Sequence, residues 1–447
     1  VVDGDSNLVT DRTGKVWVVP KTQKRVITAS KDGVTGSALY SGRKQVIIRL
    51  GIQAPQVKVK QVELSPSHQA IVTEDGKLYE WGGNEYFNDK EYAYKGCETP
   101  TLVKGLEVAE IREVQLSEYN SAAIAKDGTL YMWGSNNCGQ LGNGSQDKWS
   151  TVAKRVTGLK DVETVVINES TSAAITRDGK LYMWGDNYYG QLGDGTNTNA
   201  DTPLQPKLDD DVLIKQVALG RDDTIALSTD GQVYTWGGYD QPPTKKEIGD
   251  DIFVSKVYVN ESTFAALTTD GALYMWGENG RGQLGNGSTT RKDTPIKVEF
   301  PNEQKVNDFI LSGASCMALL SDNTVWAWGA SKTIDFKRTL GTGETDHVLS
   351  PAMVKGIKDI VEIYGYEKAC RGAYISSWAA KDKEGNLYTW GERYCGHPEN
   401  VELPDQVLAG IGIKQVKIAG KSVVGSYQAV VTDEGTLYTW GAGAYLV

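Results

Sequence analysis

Three histidines, His68, His347 and His397, five cysteines and a set of Asp/Asn/Gly loops are the residues here whose chemistry reaches beyond packing. A histidine between a serine and a carboxylate makes a nucleophilic relay, and its partners need only meet in space, so the sequence leaves that arrangement open. No G-x-S-x-G elbow supports it. Nothing local tunes or orients the imidazoles, and all three read as surface or satisfied histidines on polar loops. The cysteines, Cys97, Cys138, Cys316, Cys370 and Cys395, are few, odd in number and without C-x-x-C spacing, which points to free thiols and away from a disulfide framework or a zinc site. Cys370 and Cys395 are the pair placed to meet. Gly193-Asp194-Gly195-Thr196-Asn197 and Gly285-Asn286-Gly287-Ser288 are oxygen-rich. They lack the spaced carboxylates and terminal bidentate Glu of a calcium loop, and turn chemistry accounts for them. Asn143, Asn168, Asn260 and Asn286 each begin an Asn-x-Ser triplet, an acceptor only in a secretory eukaryotic cell. They fall in equivalent pairs, as inherited repeat sequence would. No catalytic residue, metal or cofactor is expected.

These residues sit on a repeated frame. Trp-Gly recurs at Trp81, Trp133, Trp184, Trp236, Trp276, Trp328, Trp390 and Trp440, mostly about 50 residues apart. Such a period marks one structural unit copied many times. A residue present in every copy is then scaffold, and a residue found in one copy is where specificity resides.

Residues 111–144 show what the unit is. Ile111, Val114 and Leu116 open an apolar segment, Ser117 to Asn120 break it, and Ser121 to Ala125 form a second. Asp127-Gly128 reads as a type I′ hairpin turn, and Thr129 to Trp133 as a third strand rich in β-branched and aromatic residues. A fourth apolar piece, Val152 to Val156, leads to the next copy. The turn returns as Asp75-Gly76, Asp178-Gly179, Asp230-Gly231 and Asp270-Gly271, and relaxed as Asp322-Asn323, Glu384-Gly385 and Glu434-Gly435. Four short antiparallel strands per unit, without intervening helices, predict an all-β propeller of four-stranded blades. The 50 glycines, against a usual ~7%, fit many tight turns. A formal charge of −10 and no long Lys/Arg run argue against nucleic acid as a partner. No run approaches the ~18 apolar residues of a membrane helix.

The segments LYMWGSNNCGQLGNGS (130–145), LYMWGDNYYGQLGDGT (181–196) and LYMWGENGRGQLGNGS (273–288) resemble the regulator of chromosome condensation repeat family. The resemblance covers nearly the whole chain and implies a propeller, usually of seven blades. The repeat count also admits eight or nine, because Thr13 to Val19 aligns as a degenerate further unit. On this reading residues 1–447 are one propeller, with 1–56 a degenerate first repeat and 411–447 a truncated last one. Several copies lack Gln-Leu-Gly after Trp-Gly, among them those at Trp81 and Trp236.

In such a blade the loop between strands one and two and the loop after Trp-Gly open on one face, and copy-specific sequence gathers there. The candidates are Tyr86, Phe87, Tyr92 and Tyr94 after Trp81, Tyr188 and Tyr189 after Trp184, and Tyr239 after Trp236. Arg393 and Tyr394 follow Trp390. Tyr364, Tyr366, Arg371 and Tyr374 belong to an apparent insertion in the first loop of that copy. Tyrosine and arginine supply large contact area at low entropic cost; tyrosine also pads neighbouring loops. The expectation is a noncatalytic binding propeller that engages a protein or a glycan. Repeats of the style Ser/Ala-Ala-Ile-Thr-x-Asp-Gly-x-Leu-Tyr-Met-Trp-Gly resemble arrays in bacterial secreted or surface proteins, which implies an extracellular or cell-surface module of something longer, with a cytoplasmic setting as the alternative. A secreted enzyme inhibitor and a small-GTPase nucleotide-exchange factor are the alternative functions.

Overall fold

The computed structural model describes residues 57–82, 97–238, 240–330, 340–344, 347–370, 373–391, 401–421 and 425–441, with short strands at Leu8–Thr10, Val16–Val18, Arg25–Lys31 and Val34–Tyr40. Each Trp-Gly unit folds into one antiparallel sheet whose strands are neighbours in chain order. Eight such blades follow one another, at residues 59–102, 111–155, 162–204, 214–246, 254–297, 306–353, 360–408 and 413–441. Blades 1 to 7 have four strands, and blade 8 has three among the described residues. The family default of seven therefore gives way to eight. Among the described residues the degenerate unit forms no ninth four-stranded blade. Leu8–Thr10 pairs with Val16–Val18 and Arg25–Lys31 with Val34–Tyr40, as two separate two-stranded sheets.

The blades are joined by one repeated hook. The first residue of a first strand donates its backbone N–H to the carbonyl of the turn residue in the blade before. Ile111 bonds Gly76 (2.8 Å), Val162 bonds Gly128 (3.0 Å) and Ile214 bonds Gly179 (2.7 Å). Val254, Val306 and Ile360 repeat the contact with Gly231, Gly271 and Asn323. Val59 makes it with Gly435 (2.9 Å), so blade 8 meets blade 1 through the same bond and the ring closes. The seam carries further links. Val62 N–H donates to Gln415 Oε1 (2.9 Å), and Lys417 pairs with Glu63 (2.8 Å). Glu63 is almost wholly enclosed. Desolvation pushes its carboxyl above the ordinary value, with Lys417 opposing.

First strands line the centre of the ring, and side chains staple them together. Gln61 clasps the Val114 peptide from both sides, donating to its carbonyl (2.9 Å) and accepting from its N–H (3.1 Å). Gln216 does the same to Val257 (2.8 and 3.0 Å). Apolar interfaces alternate with the sheets. The Trp of one blade packs with the second and third strands of the blade before, as Trp184 does with Ala122, Ile124 and Met132. Burying a side chain of this size contributes roughly 1.5–3 kcal/mol.

The hairpin turn differs from the expected type I′. Gly128 alone takes positive φ (81°), and its N–H closes a four-residue turn onto the Ala125 carbonyl (2.9 Å). That is a type I turn followed by a left-handed glycine, the usual three-residue alternative. Asp127 accepts from Thr129 N–H (2.9 Å) and stabilises it. Asn323 takes the glycine place in blade 6 with φ 64°.

The Trp-Gly glycine has a second reason to recur. Gly134 has φ 111°, and a Cβ there would stand 2.2 Å from the Tyr119 carbonyl. That carbonyl accepts the N–H of Ser135, the next residue (3.0 Å). Ser170, Asp222, Ser262 and Ala314 play the same part for Asp186, Gly238, Glu278 and Ala330. This bond fixes both loops of a blade on the same face, so the face expected from strand direction is the one that forms.

Candidate binding face

Gln-Leu-Gly is the hinge of each regular loop on this face. The Asn that follows Trp-Gly-x is buried and organises the loop from inside. Asn187 Oδ1 accepts Leu192 N–H (2.9 Å), and its Nδ2 donates to the Thr196 and Thr198 carbonyls (3.0 and 3.1 Å). Asn136 and Asn279 do the same in their copies. These bonds order the oxygen-rich segments as turns. The Gln backbone carbonyl then reaches the next blade. Gln140 O accepts Trp184 Nε1 (2.9 Å) and Ser172 Oγ (3.0 Å). Gln191 O serves Trp236 and Thr224 (2.8 and 2.9 Å), and Gln283 O serves Trp328 and Cys316 (2.9 and 3.3 Å).

Blade 1 has no Gln-Leu-Gly, and a carboxylate stands in for the missing carbonyl. Glu80 occupies the strand position that Met132, Met183 and Met275 hold elsewhere. Its Oε2 accepts Trp133 Nε1 (2.8 Å), and its Oε1 accepts Ser121 Oγ (2.8 Å). His68 Nε2 lies 3.2 Å from Glu80 and 3.0 Å from Ser121, and its Nδ1 faces Ser65 and Ser67 (2.9 and 2.8 Å). His68 thus begins a strand and is buried, not on a polar loop. Burial lowers its pKa below the ordinary value, and Glu80 opposes that shift. Serine, histidine and carboxylate do meet here, but in the wall between two blades, with each group engaged by the others.

The predicted tyrosines divide. Tyr188 is 64% exposed and meets Tyr189 edge-on, with centroids 5.0 Å apart. Its backbone is held by Asn197 Nδ2 on the Tyr188 carbonyl (2.9 Å) and by Tyr189 N–H on Gln191 Oε1 (2.9 Å), so a rigid loop presents the pair. Asp186 and the Arg221-Asp222 loop of blade 4 border it. Burial raises the Asp222 carboxyl, Arg221 opposes this, and Asp186 adds to it. Burial and Asp186 likewise raise the Cys138 thiol. Neither Cys138 nor Cys316 is in a disulfide. Arg221 and Asp222 were not among the sequence candidates. Their signal was a first loop of Gly-Arg-Asp where the neighbouring blades 3 and 5 carry Asn-Glu-Ser.

Tyr364 and Tyr366 are not on an inserted loop. The first strand of blade 7 continues over Ile360–Cys370 and pairs with Ala373–Asp382 up to Cys370 opposite Ala373. The extra residues lengthen the innermost hairpin. Tyr364 donates to Glu362, and Tyr366 donates to the Gly420 carbonyl of blade 8 (2.8 Å). Burial raises both phenols. Glu118 and Glu169, on the first loops of blades 2 and 3, push Tyr366 further, which places its ring at the same end of the central opening. The side chain of Tyr374 lies outside the described residues, as do Tyr86, Phe87, Tyr92, Tyr94, Tyr239, Arg371, Arg393, Tyr394, His397 and Cys395. His347 is half-buried and immediately precedes the last strand of blade 6, Val348–Met353. Among the described residues no three His, Cys, Asp or Glu side chains converge as a metal cluster, and no helix is long and apolar enough to cross a membrane.

A model of the regulator of chromosome condensation repeat matches residues 127–173, 178–227 and 270–319, and a second model of the repeat matches 111–140, 162–191 and 254–283. The ultraviolet-B receptor UVR8 of Arabidopsis thaliana is 28% identical over 80% of this chain and 70% of its own length. The E3 ubiquitin-protein ligase HERC2 of Homo sapiens is 30% identical over 70% of this chain, which spans only 7% of that protein. Among solved structures, human WBSCR16 matches with TM-score 0.58 at 21% identity, over 76% of this chain and 92% of that one. Prp20p of Saccharomyces cerevisiae matches with TM-score 0.55 at 18% identity, over 78% and 86%.

Proposed function

Because this chain belongs to the regulator of chromosome condensation repeat family, we propose that it is a noncatalytic binding propeller that engages a protein partner through its loop face. The Tyr188–Tyr189 pair carries the proposal. Tyr188 faces solvent, half-buried Tyr189 meets it edge-on, and loop hydrogen bonds hold both backbones, which is the form of a preorganised anchor. The residues that recur in regular copies point inward and are spent on joining blades. A protein is preferred to a glycan because Prp20p, which shares the fold, binds Gsp1p and histones. The setting we propose, a module of a larger bacterial secreted or surface protein, rests on the style of the repeats.

The test is quantitative capture of partners by the intact chain and by three variants. These are Tyr188→Ala with Tyr189→Ala, Tyr86→Ala with Tyr92→Ala, and all four together. Truncating a hot-spot aromatic costs about 2 kcal/mol or more, so partner recovery should fall at least about tenfold in the combined variant. Unchanged recovery across all three variants refutes the choice of face.

A further inference from the structure

Blades 4 and 5 depart from the repeat in the same way on the opposite face, where the hairpin turns and blade connectors lie. The residue just before the first strand is charged in most copies: Lys58, Glu110, Asp161, Lys305 and Asp359. In these two blades it is Leu213 and Phe253. Both are exposed, Phe253 by 55% and Leu213 by 39%. Each is preceded by acids, as Asp209-Asp210-Asp211-Val212-Leu213 and Asp250-Asp251-Ile252-Phe253. A paired acid run followed by two apolar residues occurs in no other connector.

The backbone brings the two segments to one turn. Leu213 accepts Thr229 N–H through its carbonyl (2.8 Å), directly beside Asp230-Gly231. On the other side, a Cβ placed on Gly231 would lie 3.2 Å from the Phe253 ring. Leu213 and Phe253 thus flank a single hairpin tip. Asp209, Asp211 and Asp230 all act on the Tyr234 phenol, which they raise together with burial, the larger cause, so the carboxylates gather at the same place. The basic residues nearby do not neutralise them. Lys245 pairs with Glu247 (3.7 Å), Lys246 donates to the Asp293 carbonyl (2.7 Å), and Lys215 is the one lysine between Leu208 and Gln232.

We propose that this turn face docks a protein segment that sets an apolar side chain between Leu213 and Phe253 and a lysine or arginine against the flanking aspartates. Charge complementarity selects the occupant. An apolar patch alone would accept many surfaces, but six carboxylates around it repel nucleic acid, anionic lipid and a second copy of this acidic chain. This surface is separate from the tyrosine-bearing loops, so the chain can hold two partners at once, one on each face of the ring.

Fluorescence anisotropy of labelled Gly-Lys-Lys-Leu-Phe-Lys-Lys-Gly against the intact chain tests the proposal. We expect saturable binding that weakens with salt. It should fall about tenfold or more when Leu213→Ser and Phe253→Ser are combined, and again when Asp209, Asp210 and Asp211 are all changed to Asn. Gly-Lys-Lys-Ser-Ser-Lys-Lys-Gly should bind at least about tenfold more weakly, and Gly-Glu-Glu-Leu-Phe-Glu-Glu-Gly not at all. The substitutions are at exposed positions, and an unchanged melting temperature confirms that the ring is intact. Absence of saturable binding, equal affinity for the serine peptide, or indifference to the Leu213/Phe253 change overturns the proposal.

Discussion

Glu80→Met restores to blade 1 the residue that regular copies carry, so a reading based on repeat consensus alone makes it neutral or stabilising. The geometry predicts the reverse. Glu80 supplies the acceptors for Trp133 Nε1 and Ser121 Oγ across the wall between blades 1 and 2. No Gln-Leu-Gly carbonyl is available to replace it, because that copy lacks the motif. A buried donor left without a partner costs about 1–3 kcal/mol. Trp133 loses its acceptor outright, while Ser121 keeps His68 Nε2 at 3.0 Å. The orphaned indole costs about 1–3 kcal/mol and the lost Ser121 bond about 1 kcal/mol more, offset by about 1 kcal/mol from the Met side chain, because the Glu80 methylenes are already enclosed. The expected net loss is about 1–3 kcal/mol. Because a ring of repeats need not unfold in one step, the loss is best read locally, from hydrogen exchange of the strands Asn120–Ala125 and Leu130–Ser135, beside urea unfolding followed by tryptophan fluorescence. A double-mutant cycle with Trp133→Phe isolates the indole bond. In that background Glu80→Met should cost about 1 kcal/mol less than alone. Equal or greater protection in Glu80→Met, or a cycle with no coupling, refutes the substitution argument.

Other consequences are measurable in the same assays. The His68 pKa is depressed in the folded ring, so its contribution is present above the ordinary value of about 6.5 and is lost as pH falls through the folded value. Stability should decline on acidification below about pH 6.5, and His68→Asn should flatten that slope in urea titrations across pH. Glu63 works with the opposite sign. Its raised carboxyl favours the folded state below about 4.5 and withdraws that support as pH rises, so Glu63→Gln should flatten the fall in stability between about pH 4.5 and neutral in urea titrations. Gly277→Ala meets both a φ of 97° and a Cβ position 2.0 Å from the Ser262 carbonyl, and should abolish folding or lower Tm by more than any surface change. Tyr366→Phe removes the donor to Gly420 between blades 7 and 8 and should cost about 0.5–1.5 kcal/mol; a change in partner capture without a stability loss would assign Tyr366 to binding instead.

Strand order, hairpins and the two faces were legible in the sequence because each depends on contacts within one copy. The number of blades was legible only as a choice of seven, eight or nine. Ring size follows from how two blades pack, and the described strands of the degenerate opening unit pair only as two two-stranded sheets. The extended hairpin of blade 7 was misread as a loop because Gly365, Glu367 and Lys368 interrupt the apolar pattern, although the backbone pairs through them. His68 was misread for a related reason. The second strand begins with a polar residue in the regular copies, and that residue is buried because it serves the loop after Trp-Gly. Asn120 donates to the Ser135 carbonyl (2.6 Å), Thr171 to Asp186 (3.3 Å), Thr263 to Glu278 (3.1 Å) and Ser315 to Ala330 (2.9 Å). Polarity at that place marks the start of a strand.

The residue after it shows that the structural unit crosses the copy boundary. Opposite each Trp in the second strand stand Gln69, Ser121, Ser172, Thr224, Phe264, Cys316, Trp378 and Gln428. Where the previous copy ends in Gln-Leu-Gly, the residue is a hydroxyl or thiol that shares the Gln carbonyl with the Trp: Ser172, Thr224 and Cys316. Where the previous copy is the short one at Trp236, the residue is Phe264, which stacks on Trp276 with centroids 5.5 Å apart. Where the previous copy supplies Glu80, it is Ser121, and the carboxylate takes the carbonyl's place. The loop of one copy and the second strand of the next therefore vary together, because they form one hydrogen-bonded or apolar contact. A loop exchanged between copies carries its neighbour's residue with it or leaves a buried tryptophan without its partner. The freedom to vary for binding is accordingly confined to the part of each loop beyond that contact, where Tyr188 stands.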